Sequence, residues 1–148
     1  MAEWKRTHLL LPDGWYEVRG ASPREYRQAK AGSGVLQLQM LPPRAEVAGT
    51  DEQVDDALTD ALADAVDALE IGEPISCATG PCTYGRYATA LFHNARMGRV
   101  RVWLLGTPGE PLLFATFIKR SPAGWEAEVA DAQDILESAE MRVVEPPF

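Results

Sequence analysis

Long apolar runs are missing from this sequence: nothing approaches the ~18 residues of a membrane-spanning helix. The first fifteen residues hold only Leu9 to Leu11 before Pro12, too short for the core of a signal peptide. The expected location is therefore the cytoplasm.

Cysteine and histidine are scarce as well. Cys77 and Cys82 share one CATGPC segment, and His8 and His93 stand far apart, whereas a structural zinc site takes four such ligands at short spacing. Cys77, Cys82 and His93 would be the only grouping, and thiols packed as small hydrophobes are the simpler expectation. In a reducing compartment no disulfide is expected. No metal site is assigned.

Also lacking are a P-loop, a G-x-G-x-x-G opening a helix, a G-x-S-x-G elbow and an H-E-x-x-H pair. Gly32 and Gly34 precede a strand pattern, not a helix. The carboxylates crowd onto helix faces expected to be wet, where their pKa values stay ordinary and catalysis gains nothing. No catalytic residue and no cofactor is assigned, and an enzyme is not expected.

Positive charge is deficient overall. A net charge of −8 argues against nucleic acid and against anionic membranes, both of which attract basic surfaces. A basic partner would be attracted instead.

What is present is ordinary globular composition, 46% hydrophobic and 24% charged over 148 residues, enough for one core. The expectation is a single domain over residues 1–148, with 145–148 a short tail. Thr7 to Val18 reads as two extended stretches around a Pro12-Asp13-Gly14 turn. Ser22 to Gly34 reads as a loop with one helical turn over Pro23 to Gln28. Val35 to Leu41 alternates, placing Leu36, Leu38 and Met40 on one side of a strand.

Thr50 and Gln53 fit a capping box that opens a helix running to about Glu70. Val54, Leu58, Leu62, Ala65, Val66 and Leu69 share its apolar face, and Asp56, Asp60, Asp64 and Asp67 lie opposite. Three β runs follow, Tyr84 to His93, Val100 to Leu105 and Leu112 to Lys119, spaced as a meander. Ser121-Pro122 opens a second helix to about Ala139, with Trp125, Val129, Ala132, Leu136 and Ala139 as its buried stripe and Ile135 at the edge. Met141 to Val144 fits a last short strand. The fold expected is α+β, an antiparallel sheet of about six strands with two long amphipathic helices in the order β-β-β-α-β-β-β-α.

Charge divides by region. Residues 51 to 73 hold nine acids and no lysine or arginine, whereas 84 to 120 hold six bases against Glu110 alone. Two candidate surfaces emerge. The Asp56, Asp60, Asp64 and Asp67 face could dock a basic partner, or be solvated surface paired in part to sheet arginines. Arg99, Arg101 and Trp103 share one strand face and could hold an anionic or aromatic ligand, or form core with arginines at its rim.

The Pro12-Asp13-Gly14-Trp15 turn, the strand from Leu36 into Pro42, the long acidic helix, the meander with FATFIKR at 114 to 120 and the closing helix resemble the PsbP-like superfamily. The likeness is closest to its DcrB-like bacterial branch, which includes the effector-associated chaperones of type VI secretion. The resemblance implies an antiparallel sheet with flanking helices and a chaperone, adaptor or assembly role. Those chaperones dimerise and hold transmembrane segments in an apolar groove, where this chain would carry Arg99 and Arg101.

Three functions stay open. The first is a protein-binding adaptor or chaperone for a secreted effector, as monomer or homodimer, with an apolar sheet face open around Trp103, Phe114 and Phe117. The second is an immunity protein that masks a basic toxin with the acidic helix face. The third is a carrier of a small anionic ligand on the arginine strip.

Overall fold

The computed structural model describes residues 5–30, 32–43 and 49–143. In chain order the elements are β1 (Lys5–His8), β2 (Trp15–Glu17), β3 (Arg24–Gln28), β4 (Val35–Leu41), α1 (Asp51–Asp67), β5 (Ser76–Cys82), β6 (Gly85–Asn94), β7 (Gly98–Gly106), β8 (Leu112–Lys119), α2 (Trp125–Glu137) and β9 (Glu140–Val143). Seven strands make one sheet in the order β2-β3-β4-β8-β7-β6-β5, and β1 pairs with β9 in a two-stranded ribbon. Every pairing is antiparallel. The α+β class, the antiparallel sheet and the two amphipathic helices are as the sequence implies.

The strands are more numerous than expected. Residues 24–28 form β3, not a helical turn, because they pair on both sides, with β2 and with β4. That pairing carries Tyr26 into the core and leaves its neighbours half-exposed. Ser76–Cys82 form a separate strand, outside the three expected β runs, although it contains Gly80 and Pro81. Its pairing with β6 overrides the local composition. The last strand starts at Glu140; Val144 and the tail expected at 145–148 lie outside the described residues.

Alternation along the strands divides the core between the two sheet faces. On one face Leu58, Leu62 and Val66 of α1 pack with Ala88, Ala90, Phe92, Val100, Val102 and Leu104. On the other, Trp125, Ala132, Ile135 and Leu136 of α2 pack with Tyr26, Leu36, Leu38, Trp103 and Phe117. The helices therefore sandwich the sheet. Ile135, expected at the edge of its stripe, is wholly buried, whereas Met40 is exposed.

Helix α2 begins at Trp125 and not at Ser121. Ser121 Oγ accepts from Ala123 N within a preceding turn, and Gly124, at φ 76°, takes the left-handed cap position with no side-chain cap bond. A buried ion pair fixes the helix laterally. Glu128 Oε2 lies 2.6 Å from Lys119 Nζ, off hydrogen-bond alignment, with the two side chains 1% and 3% exposed. Glu128 Oε1 accepts from Gly34 N at 2.8 Å, and Lys119 Nζ donates to Gly32 O at 2.7 Å. A Cβ at Gly34 would overlap the Phe117 ring, so only glycine lets the β3–β4 loop approach this pair.

Candidate functional site

Helix α1 is set by its first turn. Thr50 Oγ1 accepts from Gln53 N at 3.3 Å and Thr50 N donates to Gln53 Oε1 at 2.9 Å, completing the capping box. Its apolar stripe settles on β6 and β7, so β5, the last strand of the sheet, lies beyond the helix. Between them runs an open groove of about 530 Å³, a size typical of ligand and peptide sites.

Residue size explains the hollow. Where α1 meets β7, Val100, Val102 and Leu104 fill the interface; toward β5 the sheet offers Ala88 and Ala90, opposite Thr79 and Cys77. Thr59, Leu62, Ala63 and Val66 form the helical wall, and Gly72, Glu73 and Pro74 close one end. The lining is mostly apolar, with the hydroxyls of Thr59 and Thr79 and the carboxylates of Asp67 and Glu73 among it. It includes no lysine or arginine among the described residues.

Among the described residues, the arginine beside α1 on this face, Arg86, is already engaged. Arg86 Nε and Nη2 donate to Asp55 at 2.6 and 3.0 Å, and Nη1 to Asp51 at 3.4 Å. Hydrogen bonding from Arg86 holds the Asp55 carboxyl below its ordinary pKa against partial burial, and the Thr79 hydroxyl adds to this. The pair fastens α1 to β6 at the groove's other end.

The sequence-predicted residues fall in different places. Asp56, Asp60, Asp64 and Asp67 are all exposed on α1. At about 100° per residue, Asp56, Asp60 and Asp67 lie within about 40° of one another, opposite the buried stripe of Leu58, Leu62 and Val66. Asp67 lines the groove itself, whereas Asp64 lines a hollow on the other flank with Leu41, Pro42 and Pro43.

The arginine strip is covered by α2. Trp103 is wholly buried and its indole N–H donates to Gln133 Oε1 at 2.7 Å. Arg101 is half-buried beside Thr89, burial lowering its pKa while Glu126 opposes the shift. Arg99 sits at the edge, its guanidinium 5.8 Å from the centre of the Trp125 ring. Trp103 is thus core with arginines at its rim.

The open apolar face expected around Trp103, Phe114 and Phe117 is absent at those positions. All three are buried, and Phe114 points to the opposite face from the other two. Nor do Cys77, Cys82 and His93 converge. Cys77 is exposed on the groove, Cys82 packs against the α2-side core with its thiol pushed up by burial, and His93 stands opposite Arg99.

A second recess, near the β1–β9 ribbon, is lined by Arg6, Arg24 and Glu17 and by Arg142, which pairs with Glu140. Its charges are spent internally: Arg6 and Arg24 each reach Glu17 at 3.3 Å, and Tyr26 Oη donates to it at 3.2 Å. Burial and the neighbouring Glu17 push the Tyr26 phenol up to about 12, although Arg24 opposes them.

Of the groove lining, Leu62, Val66 and Asp67 are legible in the sequence as residues of α1, whereas the sheet side escaped because Cys77 to Thr79 and Ala88 to Ala90 are small and uncharged. Their one signal is a pair of small-residue runs, Ser76 to Gly80 and Ala88 to Ala90, in neighbouring strands facing an amphipathic helix.

A seven-stranded antiparallel sheet between two helices, with a β1–β9 ribbon at its side, is a PsbP-like fold. The solution structure of cyanobacterial PsbP (CyanoP) from Synechocystis matches with a TM-score of 0.55 at 16% identity, over 97% of this chain and 94% of that one. LpqN of Mycobacterium tuberculosis, described as involved in cell envelope biogenesis, matches with a TM-score of 0.55 at 10% identity, over 94% and 84%. At such identities the likeness concerns the fold. No family model and no curated protein matches the sequence.

Proposed function

We propose that this chain is a non-catalytic accessory protein, adaptor- or chaperone-like, that holds a segment of another protein in the groove between α1 and β5. The observation that carries the reading is the groove itself: an open, largely apolar cleft of about 530 Å³ beside the terminal strand of a sheet. The buried large apolar side chains are committed to the two cores. The fold adds support, since the likeness to CyanoP and LpqN extends over almost the whole of this chain. The resemblance to the DcrB-like branch makes a secreted effector or toxin of a bacterial system the partner of choice.

The exposed acids of α1 favour a second reading, an immunity protein that covers a basic toxin. Capture by the tagged chain from its source cells, compared with a Cys77→Trp variant, separates the two. Cys77 is exposed on the groove, so tryptophan there fills the cleft without entering the core. A stoichiometric partner retained at 0.3 M salt and lost with Cys77→Trp supports the groove. A partner that survives Cys77→Trp and is released above ~0.3 M salt assigns the acidic face and the immunity role instead.

A further inference from the structure

Granting the protein-binding reading, we infer that the occupant of the groove is an extended basic segment of the partner, added to the sheet as a strand alongside β5. Three features of the chain lead to this.

The first is the edge. β5 ends the sheet, and its outer side has no strand partner among the described residues. Natural sheets blunt such an edge with lysines, proline, bulges or very short strands. The opposite edge strand, β2, follows that rule with only three residues. β5 has seven, and Ser76 to Gly80 contain no charge and no proline, with Cys77, Ala78 and Thr79 exposed. Proline enters only at Pro81, and beyond the strand Thr83 N is tied to Glu137 O at 3.1 Å. The open stretch is thus the part of β5 that borders the groove.

The second is the floor. A strand laid about 4.8 Å outside β5 sends every other side chain to the α1 face. Backbone pairing then supplies affinity, and the alternate side chains supply selectivity. Those side chains would meet Cys77 and Thr79 from the side and the space over Ala88 and Ala90, which suits small and medium aliphatic groups.

The third is charge. Asp67 and Glu73 stand in the groove lining, and Arg86 is occupied by Asp55 and Asp51. An entering segment therefore meets these carboxylates without a competing cation among the described residues of the lining, so lysine or arginine flanking its aliphatic residues is the complement. The same charges disfavour a second copy of this chain, which would bring another Asp67 and Glu73 against the first pair.

The test uses the full chain and two synthetic peptides, acetyl-(Lys-Val)4-amide and acetyl-(Glu-Val)4-amide, titrated at low salt while backbone amide resonances are followed. The expected result is binding of the lysine peptide at least tenfold tighter than the glutamate peptide, with shifts at Ser76 to Gly80 and along the α1 flank. Asp67→Lys combined with Glu73→Lys, both at exposed positions, should remove or reverse that preference while the circular dichroism spectrum stays unchanged.

Equal binding of the two peptides, or none, overturns the inference, as do shifts confined to α1 with β5 silent. Self-association that disappears with Cys77→Trp overturns it in favour of a second copy. If the peptides fail while a cellular partner is still lost with Cys77→Trp, the strand-addition inference falls and the groove reading stands. Loss of both results removes the groove altogether.

Discussion

The costliest residues in this molecule are Lys119 and Glu128, two charges taken almost wholly out of water. Such a pair contributes little net stability compared with apolar residues of the same volume, yet breaking it strands a buried charge. Glu128 also accepts from Gly34, so its removal frees the β3–β4 loop as well as α2. Glu128→Ala is expected to lower the unfolding free energy by about 3 kcal/mol, read from the urea midpoint. Replacing both partners, Lys119→Met with Glu128→Leu, should recover most of that loss. Equal destabilisation by the single and double changes would show that the pair is not what α2 rests on. Neither residue is recognisable from sequence, where one belongs to a basic strand and the other to an acidic helix, and only the crossing of α2 over β8 brings them together.

Among the elements, those with strong local periodicity were legible and those defined by their neighbours were not. α1 carries its own start signal and an unbroken apolar stripe, so both its existence and its first residue follow from the sequence. β4 and the meander alternate clearly enough to be found. β3 and β5 are strands because of what flanks them: the polar REYRQ run and the glycine- and proline-bearing SCATGPC run acquire strand form by pairing. The groove was invisible for the same reason, since it is bounded by β5. It comes from Ala88 and Ala90 of β6 standing beside the larger Leu104 and Val102 of β7, which no single-segment pattern reports. The capping box permits a prediction at this scale. Thr50→Ala removes the acceptor for Gln53 N and should cost about 1 kcal/mol, with hydrogen exchange faster in the first turn of α1 than in α2. Exchange unchanged in that turn would mean that the Arg86 contacts to Asp51 and Asp55 hold it without the cap.

Across the whole molecule, carboxylates act in two opposed ways. Glu17 and Glu25 have pKa values below the ordinary glutamate range, and Asp55 lies below the ordinary aspartate range. For Glu17 burial pushes upward, but hydrogen bonds and charge from Arg24, with Tyr26 and Arg6, prevail; Glu25 is lowered first by Arg27. Asp55 is lowered by Arg86. A folded-state pKa below the unfolded one means that the folded chain binds the proton less readily. Each group therefore stabilises the fold above its unfolded pKa, near ~4, and loses that contribution as pH falls through the lower folded value. Against this, the remaining acids give the chain a net charge of −8 at neutral pH, and that self-repulsion is relieved as pH falls toward the isoelectric point. Relief comes first, because a carboxylate with a depressed pKa takes up its proton only at the lower end of the pH range. The melting temperature should thus hold or rise slightly from pH 7 to about 5 and fall steeply below about 4. Arg86→Met should flatten that acid limb, because Asp55 then titrates at nearly the same pH folded and unfolded and less stability is left to lose there. A variant that kept the full acid limb would show that the contact between α1 and β6 does not set the acid stability of this fold.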